Sequence, residues 1–272
     1  MRWARTDVAA PALTLITRPA PDAQRWTAYL AAEHIAAVAL PLIDIRPAGD
    51  QAALATMQAD VARFQAVMFV SAAAVNHFFI ANNSIPECQN GLKILINGSQ
   101  RVWATGQGTV HALLDNGVPA SRIDAPAQDA AQWDSESLWG QVQHQAPRLR
   151  QVLVVRGTDA TGRTQGRDWL AQQLQAVGVQ VSFALAYARH PPTWTPAEHE
   201  LAARASHGLW VFSSSEAVAH LQHLRPGQSW ATARALVTHP RIGQSAREAG
   251  FGVVYESRPG LATVAGSIKS LQ

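Results

Sequence analysis

Short apolar runs rich in Val, Leu, Ile and Phe recur along the chain, each closed by glycine, proline or small polar residues. They predict strands over 13–17, 38–44, 66–71, 101–106, 151–157, 179–187, 208–214, 234–239 and 252–257. Between them the apolar spacing changes to three and four, which predicts helices over 22–34, 72–80, 109–116, 166–177, 215–224 and 242–249. Several of these helices open on small or polar residues and close at glycine, as at Gly117, Gly178 and Gly250. Strand alternating with helix predicts an α/β chain. In the run VQVSFALAY, strict alternation would set Val179, Val181, Phe183, Leu185 and Tyr187 on one face of the strand.

The pattern also repeats. MFVSAAAVNHF (68–78) aligns without gaps on VFSSSEAVAHL (211–221), with Phe, Ser, Ala, Val and His identical at five of eleven positions. ATGQGTVHALLDNGV (104–118) lies over VTHPRIGQSAREAGF (237–251), and TLITRP (14–19) over VLVVRG (152–157), which pairs Arg18 with Arg156. The copies are not in simple tandem: VLVVRG follows the first FVSAAAV unit and precedes the FSSSEAV unit. A chain that starts one lobe, builds the other and then returns accounts for this order. Pro41, Pro47 and Gly49 punctuate one crossing, and Pro191, Pro192 and Pro196 the other. The expected lobes are 1–45 with 190–272, and 48–186 inserted, with linkers near 41–49 and 185–196.

Composition narrows the chemistry. Hydrophobic content of 47% with 15% charged residues describes a packed protein rather than a disordered one. One cysteine, Cys88, excludes an internal disulfide and a multi-thiolate zinc site. No apolar run approaches the roughly 18 residues of a membrane span. Residues 1–12 read as a loose leader rather than a signal peptide. The net charge is +3, and arginine far outnumbers lysine, which suits planar recognition of carboxylates or phosphates. No basic run interleaved with aromatics points to nucleic acid.

Motifs for other chemistries are incomplete. The stretch GTDATGRT (157–164) is one residue from a phosphate-binding P-loop, with Arg163 in the lysine position. Asp44 is the nearest, weak candidate for the accompanying acid. Gly106-Gln107-Gly108 lacks the third glycine of a dinucleotide fingerprint. His220 and His223 share a helix face without a third ligand. There is no G-x-S-x-G elbow and no H-E-x-x-H.

LITRP, PLIDI, FVSAAAV, WATGQGT, LVVRG…GR, LAYAR, VFSSSEAV and THPRIGQSA follow one another in an order that resembles the uroporphyrinogen-III synthase family over residues 13–265. The resemblance implies an α/β fold of two similar flavodoxin-like (HemD-type) lobes with parallel sheets, one inserted in the other and joined by a two-stranded linker. It implies a cofactor-free, metal-free cytoplasmic enzyme acting on hydroxymethylbilane, a linear tetrapyrrole with eight carboxylates. That enzyme closes the ring while inverting the terminal pyrrole, with loss of water, in haem biosynthesis. Neither nucleic acid nor membrane is an expected partner. A monomer is expected, and transient handover from the preceding pathway enzyme is compatible with the reading.

Polyanion binding needs donors, and strand-to-helix junctions supply them as backbone N–H groups and hydroxyls. The candidates are Thr17, Arg18, Ser71, Thr105, Thr109, Arg156, Ser214, His239 and Arg241, each with plain helix capping or solvation as the alternative reading. Tyr187 matches a position that the resemblance suggests as proton donor, and a phenol is protonated at neutral pH. Relatives commonly carry a Thr-Thr pair where this chain has Arg241-Ile242, so Arg241 with His239 would act as a cationic substitute. Residues 82–91 (NNSIPECQNG) read as an extra surface loop. Residues 158–165 read as an inserted turn, from which Arg163 and Arg167 would reach toward carboxylates. A two-lobed binding protein for an anionic small molecule and a degenerate P-loop NTPase remain as alternatives.

Overall fold

A computed structural model describes residues 13–81, 83–130, 132–164 and 168–271; the leader 1–12 and Arg167 lie outside the described residues. The chain opens with β1 (Thr14–Ile16), α1 (Ala20–Ala32), β2 (Val38–Ala39) and β3 (Asp44–Pro47). It continues through α2 (Gln51–Ala59), β4 (Ala66–Phe69), α3 (Ala72–Ile80), α4 (Pro86–Asn97), β5 (Arg101–Ala104), α5 (Gln107–Asp115) and β6 (Ile123–Asp124). Then come α6 (Ser135–Val142), β7 (Gln151–Asp159), α7 (Trp169–Ala176) and β8 (Gln180–His190). The last stretch holds α8 (Pro196–Arg204), β9 (Leu209–Phe212), α9 (Ser215–Leu224), β10 (Arg234–Val237), α10 (Pro240–Glu248), β11 (Val253–Glu256) and α11 (Leu261–Leu271).

These elements form two compact units, one made of the described residues among 1–44 and 191–272 and the other of those among 45–190. In the first, a five-stranded sheet runs β11-β10-β9-β1-β2 with parallel pairing throughout. Alternate strand residues face opposite sides, so both faces are covered, as parallel sheets require. Ile16, Leu209, Val211 and Leu236 pack under α1 and α11 against Trp26, Leu30, Val264 and Ile268. On the other face Trp210 and Phe212 join Trp230 and Phe251 in an aromatic cluster.

The second unit carries a six-stranded sheet, β3-β8-β7-β4-β5-β6, with parallel pairing from β8 to β6. Val67, Phe69, Val102, Ala104, Leu153 and Val155 form one face with α3 and α5. Ala66, Met68, Trp103, Val152 and Val154 form the other with α6 and α7. If β7 is matched to β1, β8 to β2, and β4, β5, β6 to β9, β10, β11, the two sheets share one strand order. Only the chain order of the two blocks differs. That is the permutation the sequence repeats carry.

Three expectations change. The run 38–44 is not one strand: residues 38–39 pair in the first sheet, while a new strand starting at Asp44 joins the second. Proline at 41 lacks the N–H that a continuous ladder needs. The expected loop at 82–91 instead starts α4, whose Cys88, Gly91, Leu92 and Leu95 are buried, with the helix packed on α2. Pro86 at its first turn suits a helix start, since that N–H has no partner there in any case. Last, the expected turn from 158 begins later, because β7 runs on to Asp159 and pairs with β8 as far as Arg189. The caps behave as predicted: Gly117, Gly178 and Gly250 take positive φ after α5, α7 and α10.

Candidate active site

In an open parallel sheet, ligands bind beyond the carboxyl ends of the strands, where the strand order reverses. In the second unit that point lies between β7 and β4. Ser71 follows β4 and is the N-cap of α3, its Oγ accepting from the Ala74 N–H at 3.1 Å. The same Oγ lies 3.0 Å from the Tyr187 hydroxyl. Sequence reasoning singled out both residues, and the fold brings them together across 116 positions.

Alternation alone would not have done so. The register pairs Arg156 with Leu185 but Gly157 with Tyr187, which leaves Ala186 as an extra residue on β8. Such a bulge reverses the facing of everything beyond it. Val179, Val181 and Phe183 therefore pack with the cluster under α6 and α7. Tyr187, 4% exposed, instead joins Phe69, Phe78 and Val155 on the α3 side. The expected shared face with Phe183 is thus corrected, and the bulge is the reason.

Two neighbours of Tyr187 escaped the sequence reading as site residues. The His77 ring stacks on the phenol, with centroids 6.0 Å apart and planes at 29°. Burial lowers the His77 pKa from its ordinary 6.5, so the ring is neutral at neutral pH. A Cβ at Gly157 would fall 2.4 to 2.7 Å from three atoms of the Tyr187 ring. The identity of His77 with His220 in the repeat was the available signal for the first, and nothing in the local pattern marked the second. Arg189 also approaches the ring, its Cζ 5.8 Å from the centroid.

The other candidates of this unit are placed as follows. The Thr105 hydroxyl donates to the Val70 carbonyl at 3.1 Å, holding the β5 turn to the residue before Ser71. Thr109 is buried in the first turn of α5, which no side chain caps because its N-cap is Gly106. Arg156 lies on the opposite face of the sheet from Tyr187: its Cζ sits 4.1 Å over the Phe183 ring, and it pairs with Asp168. Its Nε is buried without a partner among the described residues. The P-loop-like turn binds itself, since Asp159 Oδ1 accepts from the N–H groups of Thr161 and Arg163. Donors that a phosphate would need are therefore occupied by a carboxylate, which removes the support for the NTPase reading. The Arg163 side chain is exposed.

In the first unit the same junctions recur at the β1–β9 switch. Thr17 is 1% exposed and donates to the Val211 carbonyl at 2.7 Å, tying β1 to β9. Arg18 pairs with Asp22 at 2.9 Å and stacks 4.6 Å over Trp26. Both repeated arginines thus sit between a carboxylate and an aromatic ring. Ser214 caps α9 by accepting from the Glu216 N–H, and the buried Ser215 Oγ has no partner among the described residues. His239 caps α10 with Nδ1 accepting from the Arg241 N–H at 3.1 Å. With Nδ1 accepting in that cap, Nε2 is the ring nitrogen left to donate. Arg241 has no ion-pair partner among the described residues and is exposed. His220 is held by the Leu42 carbonyl at 2.6 Å. No group of three His, Cys, Asp or Glu that could hold a metal occurs among the described residues. No helix among them is long and apolar enough to cross a membrane.

Two doubly covered parallel sheets, with hydroxyls and helix starts gathered at both switch points, define an α/β protein of paired flavodoxin-like units. Residues 24–264 match the family model described as uroporphyrinogen-III synthase HemD, and the chain belongs to that family. Its fold is similar to uroporphyrinogen-III synthetase from Helicobacter pylori, at 15% identity and TM-score 0.63, covering 97% of this chain and 100% of that one. It is also similar to a mutant uroporphyrinogen III synthase from Thermus thermophilus, at 14% identity and TM-score 0.54, covering 96% and 99%.

Proposed function

We propose that the chain converts hydroxymethylbilane to uroporphyrinogen III, inverting the terminal pyrrole and releasing water, with Tyr187 as the proton donor. The observation that carries the reading is the buried Tyr187 phenol, directed at Ser71 beside the carboxyl end of β4, in a chain of this family. The leaving hydroxyl takes the phenol proton and departs as water, while the pyrrole nitrogen lone pair supplies the electrons. A substituted carbon of the terminal pyrrole then attacks the cationic methylene, and fragmentation with reclosure inverts that ring. The proton lost when the ring regains aromaticity returns the phenolate to phenol, so the cycle closes without a cofactor.

The substrate carboxylates are met by short-range donors rather than by a field of lysines. Helix starts at α5 and α9 offer backbone N–H groups, His239 offers Nε2–H, and Arg241 offers an unpaired guanidinium. Arg241→Ala is expected to raise KM and flatten its dependence on salt, and unchanged values for both would remove the contact. The whole reading is tested by incubating the protein with hydroxymethylbilane and separating the type III from the type I isomer. Type III product supports it. Only the spontaneous type I isomer would overturn it, and ligand binding without turnover would leave the binding-protein reading in its place.

A further inference from the structure

We propose that Gly157 and His77 are positioning residues that hold the Tyr187 phenol in its working orientation, an inference that rests on the reading of Tyr187 as proton donor. Gly157 and Tyr187 are register partners just past the bulge, so their side-chain directions coincide. The tyrosine ring lies where a Gly157 side chain would be, with three ring atoms 2.4 to 2.7 Å from the absent Cβ. The His77 ring covers the phenol by stacking on it, and Ser71 Oγ fixes the hydroxyl end at 3.0 Å.

The duplicated unit shows that the fold itself does not demand this arrangement. The residue matching Gly157 in the TLITRP copy is Pro19, which carries a side chain. The residue matching His77 is His220, which is bound to the Leu42 carbonyl instead of to an aromatic ring. Glycine at 157 and an imidazole at 77 stacked on the phenol occur in the unit that holds the tyrosine. A donor caged on three sides needs no reorientation when the leaving group arrives, and misplacement of a catalytic group by about 1 Å costs on the order of 10²-fold.

The test is a cycle of variants assayed for type III product. Gly157→Ala is expected to lower kcat by about 10²-fold with little change in KM. Added to Tyr187→Phe it is expected to cost nothing further, because the displaced group no longer carries the proton. His77→Ala is expected to lower kcat, and His77→Phe, which keeps a flat ring on the phenol, to restore most of the loss. A Gly157→Ala protein with wild-type kcat, or losses that multiply in the double variant, would overturn the proposal. Should Gly157→Ala fail to fold, the His77 pair decides: equal kcat in Ala and Phe variants overturns it. A crystal structure of Gly157→Ala supplies the readout that needs no substrate. Tyr187 Oη displaced from Ser71 Oγ supports the positioning role even if the wild-type chain proves not to cyclise hydroxymethylbilane, and an unmoved Tyr187 refutes it.

Discussion

Replacing Tyr187 by Phe removes one oxygen and keeps the ring, which makes the expected effects on folding and on chemistry separable. On the folding side, the lost contact is the 3.0 Å hydrogen bond to Ser71. Ser71 keeps its second partner, the Ala74 N–H, so no buried group is stranded. The cost should then sit within the net worth of one hydrogen bond, about 0.5–1.5 kcal/mol. For a cooperative unit of this size, 1 kcal/mol moves the melting midpoint by roughly 2–4 °C. On the chemical side, a general acid contributes about 10²–10⁴-fold, which is roughly 3–5 kcal/mol of barrier at 1.36 kcal/mol per tenfold. The assay follows hydroxymethylbilane consumption and resolves the two uroporphyrinogen isomers after oxidation. As enzymatic closure slows, spontaneous closure should dominate and the product should shift toward type I. A Tyr187→Phe protein that melts slightly early but makes type III isomer at nearly the wild-type rate would refute the acid role.

Other outcomes follow from the packing. Gly91→Ala in α4 would put a Cβ 1.9 Å from the Gln58 carbonyl oxygen, so thermal denaturation should show an overpacking loss of about 1–3 kcal/mol or more with α4 pushed off α2. Thr17→Val should cost about 0.5–1.5 kcal/mol by removing one of the two donors to the Val211 carbonyl, which keeps the Thr17 N–H, with kcat/KM unchanged. A raised KM without a stability loss would instead place that hydroxyl on the substrate. The folded state binds a proton at His77 less readily than the unfolded chain does. Its contribution to stability is therefore complete above the imidazole's ordinary pKa and is lost as pH falls below it. Urea melts at pH 7 and pH 5 should show a shallower acid-side loss in His77→Phe than in the wild type, and equal slopes would contradict the assigned burial.

Much of the fold was legible because its signals are local. Phe69-Val70-Ser71 and Phe212-Ser213-Ser214 each announce a strand, a cap and a helix in consecutive residues, and the structure places α3 and α9 where the pattern predicted. The permuted order of the repeats announced two similar lobes, and the structure shows that their sheets share one strand order. The box of Thr195 and Glu198 that caps α8 was equally local, although it was not read as a helix start. α4 was missed because Gly91 looks like a loop residue until Gln58 of α2 is seen to need its missing side chain for close approach.

The candidate site divides along the same line. From the sequence alone came the residue types at the strand ends: Ser71, Thr105, Ser214, His239 and a tyrosine in a late strand. Local periodicity fixes facing only while each strand residue meets one partner. At Leu185–Tyr187, β8 spends three residues against two of β7, and the pairing rather than the period decides which way the phenol turns. The turn of the Tyr187 phenol onto Gly157, closed by His77 and Ser71, is what the tertiary structure alone could decide, because it is a property of two strands together and of neither one's sequence.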